Sequence, residues 1–286
     1  MTVAQHSGSL SIIDLGPVYR LGFGAMRITG SGIWGEPRDR EEARRVVRRA
    51  VELGVNFIDT ADSYGPDVSE QILAEALYPY PEGVKIGTKA GFERSGPNRW
   101  HTNGRPEYLR RRAEESLQKL RVERLDLLQL HRIDSKVPAA EQFGVLADLQ
   151  REGKVGALGL SEVSVADIEA AGEYFTVATV QNRYNLTDTG SGDVLDHCEQ
   201  RGIAFLPWAP ISAGALAEPG GPVAQVAERL SATPSQVALA WLLRRSPVMV
   251  PIPGTGSVAH LEENMGAAEL DLDDAAYAEI TEAAGA

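Results

Sequence analysis

Short apolar runs alternate with longer amphipathic stretches along almost the whole chain. Eight runs read as strands: YRLGFGAM (19–26), VNFID (55–59), VKIGTKA (84–90), LDLLQLH (125–131), VGALGLS (155–161), TVATVQ (176–181), IAFLPWA (203–209) and VMVPIP (248–253). They are nearly continuous in apolar residues, as strands covered on both faces are. The stretches between them carry helical periodicity. REEARRVVRRAVEL puts Ala43, Val46, Val47, Ala50 and Val51 on one stripe and stops before Gly54, a residue type suited to the left-handed turn after a helix. PEYLRRRAEESLQKL opens with Pro106 in its first turn, and TPSQVALAWLLRR opens with Thr233 as a cap followed by Pro234. Eight strand–helix pairs predict an α/β chain whose parallel sheet closes on itself, a (β/α)8 barrel. Ahead of the first run, GSLSIIDLGPVYR predicts an N-terminal β-hairpin turned at Gly16-Pro17, and a short extra helix follows the eighth strand. With no long linker, composition shift or low-complexity tract, residues 1–286 are expected to form one domain.

Composition narrows the function more than the fold. A length of 286 residues suits a single barrel of this kind, which needs roughly 250. The formal net charge of −12 argues against nucleic acid as a partner, because phosphate contacts need a basic face. It favours a soluble monomer or weak oligomer. Cys198 is the single cysteine, so no intramolecular disulfide is expected, in keeping with a reducing compartment. No apolar run approaches the roughly 20 residues of a membrane span. The opening MTVAQHSGSLS lacks the charged and apolar regions of a signal peptide. A cytoplasmic location is the resulting expectation.

In a barrel of parallel strands, chemistry sits at the C-terminal ends of the strands. The residues closing the runs are Asp59, Lys89, His131, Ser161, Gln181 and Trp208, with Tyr64 five positions beyond Asp59. Reduction of a carbonyl by hydride leaves an alkoxide that must take up a proton. A tyrosine can give that proton if a neighbouring ammonium stabilises the phenolate. The ammonium in turn needs a carboxylate to stay charged inside a barrel mouth. A histidine one strand further on can hydrogen-bond the carbonyl. Singly, each residue has a plainer reading: a strand-end carboxylate, a rim aromatic, a snorkelling lysine, a satisfied core histidine. Their joint occurrence at successive strand ends favours the chemical reading.

At these residues the sequence resembles the aldo-keto reductase family. ELGVNFIDTADSYG is similar to its first signature, GTKA carries its lysine, and LDLLQLHRID carries its histidine. The resemblance runs from LGFGAM to HLEEN and implies a barrel that uses NADP(H) in preference, with NAD(H) possible, to reduce a small carbonyl substrate. It implies Tyr64 as proton donor, Asp59 and Lys89 as its tuning pair, and His131 as the residue that orients the carbonyl. No metal is implied.

Gly22 and Gly24 do not make a Rossmann fingerprint, because Arg27 stands where a third glycine would be. The resemblance implies a different cofactor path. Gly24, Ala25, Met26 and Asp59 would lie near the nicotinamide. Ser161 and Gln181 would hold its carboxamide, and Trp208 would stack on the ring. Pro210, Ile211, Gly214 and Leu216 of APISAGAL would cover the pyrophosphate. Ile252, Gly254, Thr255, Ser257, His260, Glu263 and Asn264 of IPGTGSVAHLEEN would hold the adenosine phosphate end. The sequence departs from the family at three places. Glu162 replaces a common asparagine, and Gly254 and His260 stand where members that prefer the 2′-phosphorylated cofactor have lysine and arginine.

For substrate, the loops after the first and third strands bring Trp34, Trp100 and His101 toward Tyr64 and His131. Such a rim suits a planar or apolar aldehyde or ketone. The given sequence ends with its last helix pattern, DDAAYAEITEAAGA, so a fairly open pocket is expected. Two other functions fit parts of the pattern. One is a nicotinamide-binding regulatory or sensor protein with little turnover. The other is a barrel glycosidase pairing Asp59 with Glu162, which leaves Lys89 without a purpose.

Overall fold

The computed structural model describes residues 1–212 and 214–285. Seven parallel strands follow one another around the barrel in chain order: β1 (Phe23–Gly24), β2 (Phe57–Asp59), β3 (Lys85–Ala90), β4 (Leu125–Leu130), β5 (Val155–Ser161), β6 (Val177–Gln181) and β7 (Ala204–Phe205). The eighth run closes the ring through its backbone. Phe205 N donates to Val248 O and Val250 N to Phe205 O on one side, while Gly22 N donates to Pro251 O and Gly24 N to Pro253 O on the other. Pro251 and Pro253 have no N–H to give, so this segment serves the first strand only as an acceptor. The predicted barrel is the observed one.

The predicted helices form where their apolar stripes demand. α1 (Arg40–Glu52) starts on Asp39, whose side chain accepts from Glu42 N, and it buries Ala43, Val46, Val47 and Ala50. Gly54 follows at φ +95°. α2 (Val68–Leu77), α3 (Pro106–Leu120), α4 (Ala139–Arg151), α5 (Val165–Gly172) and α6 (Gly192–Arg201) occupy the next crossovers. Two helices, α7 (Pro222–Arg229) and α8 (Pro234–Arg245), fill the seventh, and α8 carries a capping box between Thr233 and Gln236. The extra helix is α9 (Val258–Met265), and α10 (Asp274–Ala284) ends the fold.

The N-terminal hairpin pairs Ser9–Ile12 with Gly16–Tyr19, but it does not turn at Gly16-Pro17. Leu15 N donates to Ile12 O, and the left-handed residues are Asp14 (φ 60°) and Gly16 (φ 95°). Pro17 lies in the second strand opposite Ser11. The barrel interior explains the hairpin's purpose. Ile12, Leu15 and Val18 pack against Phe57, Leu127, Ala157, Ala204, Leu206, Val250 and Ile252, forming an apolar cluster separate from the helix–sheet core. The hairpin therefore plugs one end of the barrel, and polar side chains occupy the other.

Candidate functional site at the barrel mouth

Strand register builds the site in layers. β3 pairs with β4 so that Lys89 lies opposite Gln129, and β5 pairs with β6 so that Ser161 lies opposite Gln181. Asp59 closes β2 beside Gly24 on one neighbour and Gly87 on the other. Small residues make room for these long side chains. A Cβ on Gly159 would stand 2.1 Å from Thr179 Oγ1, and one on Gly87 would press on Leu127 and Phe57.

Lys89, fully buried, donates from Nζ to Asp59 Oδ1 at 2.6 Å, to the backbone oxygen of Thr60 at 2.7 Å and to the Tyr64 hydroxyl at 3.3 Å. Three acceptors saturate one ammonium. The second oxygen of Asp59 accepts from Gln181 Nε2 at 2.9 Å and from Gln129 Nε2 at 3.2 Å. Thr179 Oγ1 donates to Gln129 Oε1 at 3.3 Å. Burial works against the charge on Lys89, but Asp59 and Tyr64 outweigh it and hold the ammonium above its ordinary value. The phenol of Tyr64 behaves differently from expectation. Burial raises it and wins over the downward pull of Lys89. The sequence suggested a phenol made acidic by its neighbour, whereas the site holds a protonated one. His131 is buried among the positive charges of Lys89, Arg132 and Arg94, and burial first and those charges next hold it well below the ordinary histidine range. Its imidazole is neutral, with Nδ1 3.4 Å from Ser63 Oγ.

Aromatic rings wall the space in front of Tyr64 and His131. Tyr64 meets His131 edge-on with centroids 5.9 Å apart and Trp100 at 6.5 Å, while Phe92 lies 4.6 Å from His131 and 5.2 Å from Trp100. Phe92 and Trp100 come from an antiparallel hairpin, Phe92–Gly96 with Arg99–Thr102, inserted after β3. Arg94 in the same hairpin lies 3.5 Å from the Trp100 ring centre and 5.7 Å from that of Trp34. It also donates to the backbone oxygens of Gly32, Ile33, Ser63, Gly96 and Arg99. On the far side, Arg112 grips Asp62 Oδ2 at 2.7 Å and Asp67 Oδ1 at 2.6 Å. The Tyr64 segment is thus pinned between two guanidinium groups. His101 turns away to Ser95 Oγ, 2.8 Å from its Nε2, and is exposed.

The remaining sequence expectations divide. Ser161 and Gln181 are buried at the mouth, and Trp208 is half-buried beside them. Glu162, in the left-handed region at φ 55°, accepts through Oε1 from Trp208 Nε1 and from Arg183 N. With Asp59 bound to Lys89 and two glutamines, the two carboxylates of the glycosidase reading are both committed elsewhere. Gly24 and Gly254 press together: a Cβ on Gly254 would lie 2.6 Å from Gly24 O, and one on Gly24 would lie 2.6 Å from Ile252 O. The space at Gly254 is therefore filled by the barrel seam itself. Ala25 is buried and Met26 half-buried next to that seam. Pro210 is buried, Ile211 and Gly214 are exposed, and Leu216 is half-buried; Ala213 within this segment lies outside the described residues. Thr255 Oγ1 accepts from Ser257 N at 3.1 Å, while Ser257 at the N-terminus of α9 makes no capping bond with its side chain. Val258 N donates instead to Glu42 Oε1 at 3.2 Å. His260 is exposed, Glu263 half-buried and Asn264 buried on α9. Gln129, Phe92, Arg94 and Arg132 are site residues that the sequence reading missed.

A closed parallel barrel with a buried lysine, carboxylate and tyrosine beside a neutral histidine has the character of an oxidoreductase that works on carbonyl or alcohol groups. The chain matches the Aldo/keto reductase family over residues 20–284 and belongs to it. It is accordingly an NAD(P)H-dependent oxidoreductase. It is 51% identical over 98% of its length to an uncharacterized oxidoreductase of Schizosaccharomyces pombe, covering 90% of that protein. It is 41% identical to the pyridoxine 4-dehydrogenase of Escherichia coli, covering 90% of this chain and 92% of the relative. The structure of a glycerol dehydrogenase from Gluconobacter oxydans superposes with a TM-score of 0.84 at 26% identity, covering 97% of this chain and 95% of that one. Among the described residues, no helix is long and apolar enough to cross a membrane.

Proposed function

We propose that the protein reduces an aldehyde or ketone to the alcohol with NADP(H), NAD(H) being usable, and that Tyr64 supplies the proton. The observation that carries this is the buried chain of contacts from Asp59 through Lys89 to Tyr64, 2.6 Å and 3.3 Å long. When bound, the dinucleotide supplies the hydride. As the carbonyl oxygen gains negative charge, Tyr64 gives up its proton to it, and Lys89, kept charged by Asp59, stabilises the phenolate left behind. The neutral imidazole of His131 can donate one hydrogen bond to the same oxygen and so fix the carbonyl. A protonated phenol is the form from which this step starts; burial makes its proton harder to give, and the charge on Lys89 offsets part of that cost.

The residues present fit a dinucleotide. Ser161 and Gln181 can satisfy a carboxamide, the half-buried Trp208 offers a ring face, and a Ser257 hydroxyl that makes no capping bond stands at the start of α9. The name of the 41% identical relative makes pyridoxal, the aldehyde of pyridoxine, the first substrate to test, alongside simple aromatic aldehydes. The test is the fall in NADPH absorbance with such a panel. Tyr64→Phe should bind NADPH as tightly as the parent and lose most turnover. A protein that binds NADPH yet oxidises it with no carbonyl would instead be a sensor.

A further inference from the structure

Two arginines stand at the barrel mouth, and they are used differently. Arg94 gives its guanidinium to five backbone oxygens. Arg132, next to His131 in sequence, uses one nitrogen: Nη1 donates to His131 O at 2.6 Å and to Ser161 Oγ at 2.9 Å. Its Nε and Nη2 have no hydrogen-bond partner among the described residues, and it forms no ion pair there. Glu162 attracts it through space, but that side chain is held by Trp208 and Arg183. The guanidinium is half-buried, with Cζ 5.4 Å from the centre of the Phe92 ring. Phe92 is itself the wall of the space in front of His131.

A guanidinium stays charged, and its planar edge matches a carboxylate or a similar oxygen pair. A half-buried edge with no protein acceptor, standing at a binding mouth, is a place for a ligand oxygen. Bonded to the His131 backbone and 5.4 Å from the Phe92 ring centre, the guanidinium of Arg132 sits beside the aromatic wall in front of His131. We infer that Arg132 selects the substrate by binding a negatively charged oxygen, carboxylate or phenolate, carried close to the carbonyl. This rests on the carbonyl-reductase reading above. It adds to that reading a charge class of substrate.

The test compares matched aldehydes with NADPH and the full chain: 2-formylbenzoate against its neutral methyl ester, and succinic semialdehyde against butanal. The parent should favour the anionic member of each pair in kcat/KM. In Arg132→Gln that ratio should fall by about ten- to a hundred-fold, the size of one charge-assisted hydrogen bond, with most of the change in KM. Arg132→Lys keeps the charge without the planar edge and should fall between. NADPH affinity, read from tryptophan fluorescence, checks that both variants are folded and loaded. An unchanged ratio in Arg132→Gln overturns the inference while leaving the reductase reading intact. So does a weakened NADPH affinity with the ratio preserved, which would make Arg132 a support for Ser161. If the parent oxidises bound NADPH with neither these four aldehydes nor pyridoxal, the reductase reading fails and the inference falls with it.

Discussion

Glu162 Oε1 accepts the indole N–H of Trp208 at 2.6 Å and the backbone N–H of Arg183 at 2.7 Å. One carboxylate oxygen therefore fixes the ring at the mouth and the chain that leads to it. Arg183 lies over the other side of the arrangement, its Cζ 5.4 Å from the Trp208 ring centre, and pairs with Asp188 at 3.1 Å. A residue that departs from the family's common asparagine here sets the ring that would stack on the cofactor. Glu162→Ala should weaken NADPH binding by about three- to ten-fold, the net worth of one ordinary hydrogen bond, because the ring is misplaced and no cofactor contact is cut directly. Glu162→Gln, which keeps an acceptor oxygen, should stay close to the parent. Fluorescence titration distinguishes the two.

The titration state of the mouth gives a kinetic prediction. His131 is held neutral well below its ordinary range, and Tyr64 is held protonated above its own. Neither should ionise between about pH 6 and 8, so kcat/KM for reduction should be flat across that window. A limb near pH 6.5 that disappears in His131→Asn would show that the imidazole is exposed enough to titrate. Tyr64→Phe should lower kcat by about a hundred- to ten-thousand-fold, the usual worth of a general acid.

Behind Lys89 lies a carboxyl with no catalytic partner. Glu70 is fully buried in α2, and Thr88 Oγ1 donates to its Oε1 at 2.6 Å, while Oε2 has no partner among the described residues. Burial raises it from 4.5 to about 7, and Asp62 is raised in the same way to about 6. A carboxyl with a raised folded pKa favours folding most in its protonated form. Its contribution is full below about pH 4.5 and is lost as pH climbs through about 7. Glu70→Gln should therefore raise stability at pH 8 by about 1–3 kcal/mol, at 1.4 kcal/mol per pKa unit. It should also flatten the rise in stability on acidification. Urea unfolding at pH 5 and pH 8 measures both, and a Gln variant less stable at pH 8 would contradict the assignment.

Cofactor preference should respond to Glu42. Its carboxylate already sits on Val258 N at the start of α9, where a phosphate on the cofactor's ribose would compete with it for the same positive helix end. Glu42→Gln should tighten NADPH about three-fold or more while leaving NADH almost unchanged. Gly254→Lys should fail to help, because its Cβ would collide with Gly24 O across the seam between the first and eighth runs. Paired dissociation constants for the two cofactors, with a melting curve for the glycine variant, test both statements.

Arg94 supplies a packing prediction. Removing it frees five backbone oxygens and the faces of Trp34 and Trp100. Arg94→Met should raise KM for aldehydes about ten-fold or more through a loosened wall, with a smaller effect on NADPH affinity. Parallel KM and NADPH titrations separate these effects.

The barrel and the four residues at its mouth were legible because both signals repeat: eight apolar runs, and polar groups at their C-terminal ends. What escaped depended on register or on inserted backbone. Gln129 interrupts LDLLQL and reads as a blemish in a strand until Lys89 is seen opposite it. Phe92 and Arg94 belong to a hairpin that looks like a loop, since its burial is partial and alternating. Gly16-Pro17 resembles a turn, yet the left-handed positions fall at Asp14 and Gly16, and Pro17 fits the second strand. The missing cation at Gly254 looked like a change in preference alone, but the neighbouring backbone leaves no room there for a side chain.

The stopper made by Ile12, Leu15 and Val18 has a practical consequence. Each of these side chains is almost completely shielded from water, worth roughly 1.5–3 kcal/mol apiece. Engineering that trims or displaces residues 9–19 would open the cylinder from below and flood its dry lower layer. Affinity tags and fusion partners are better joined ahead of Met1, which is exposed, or after α10.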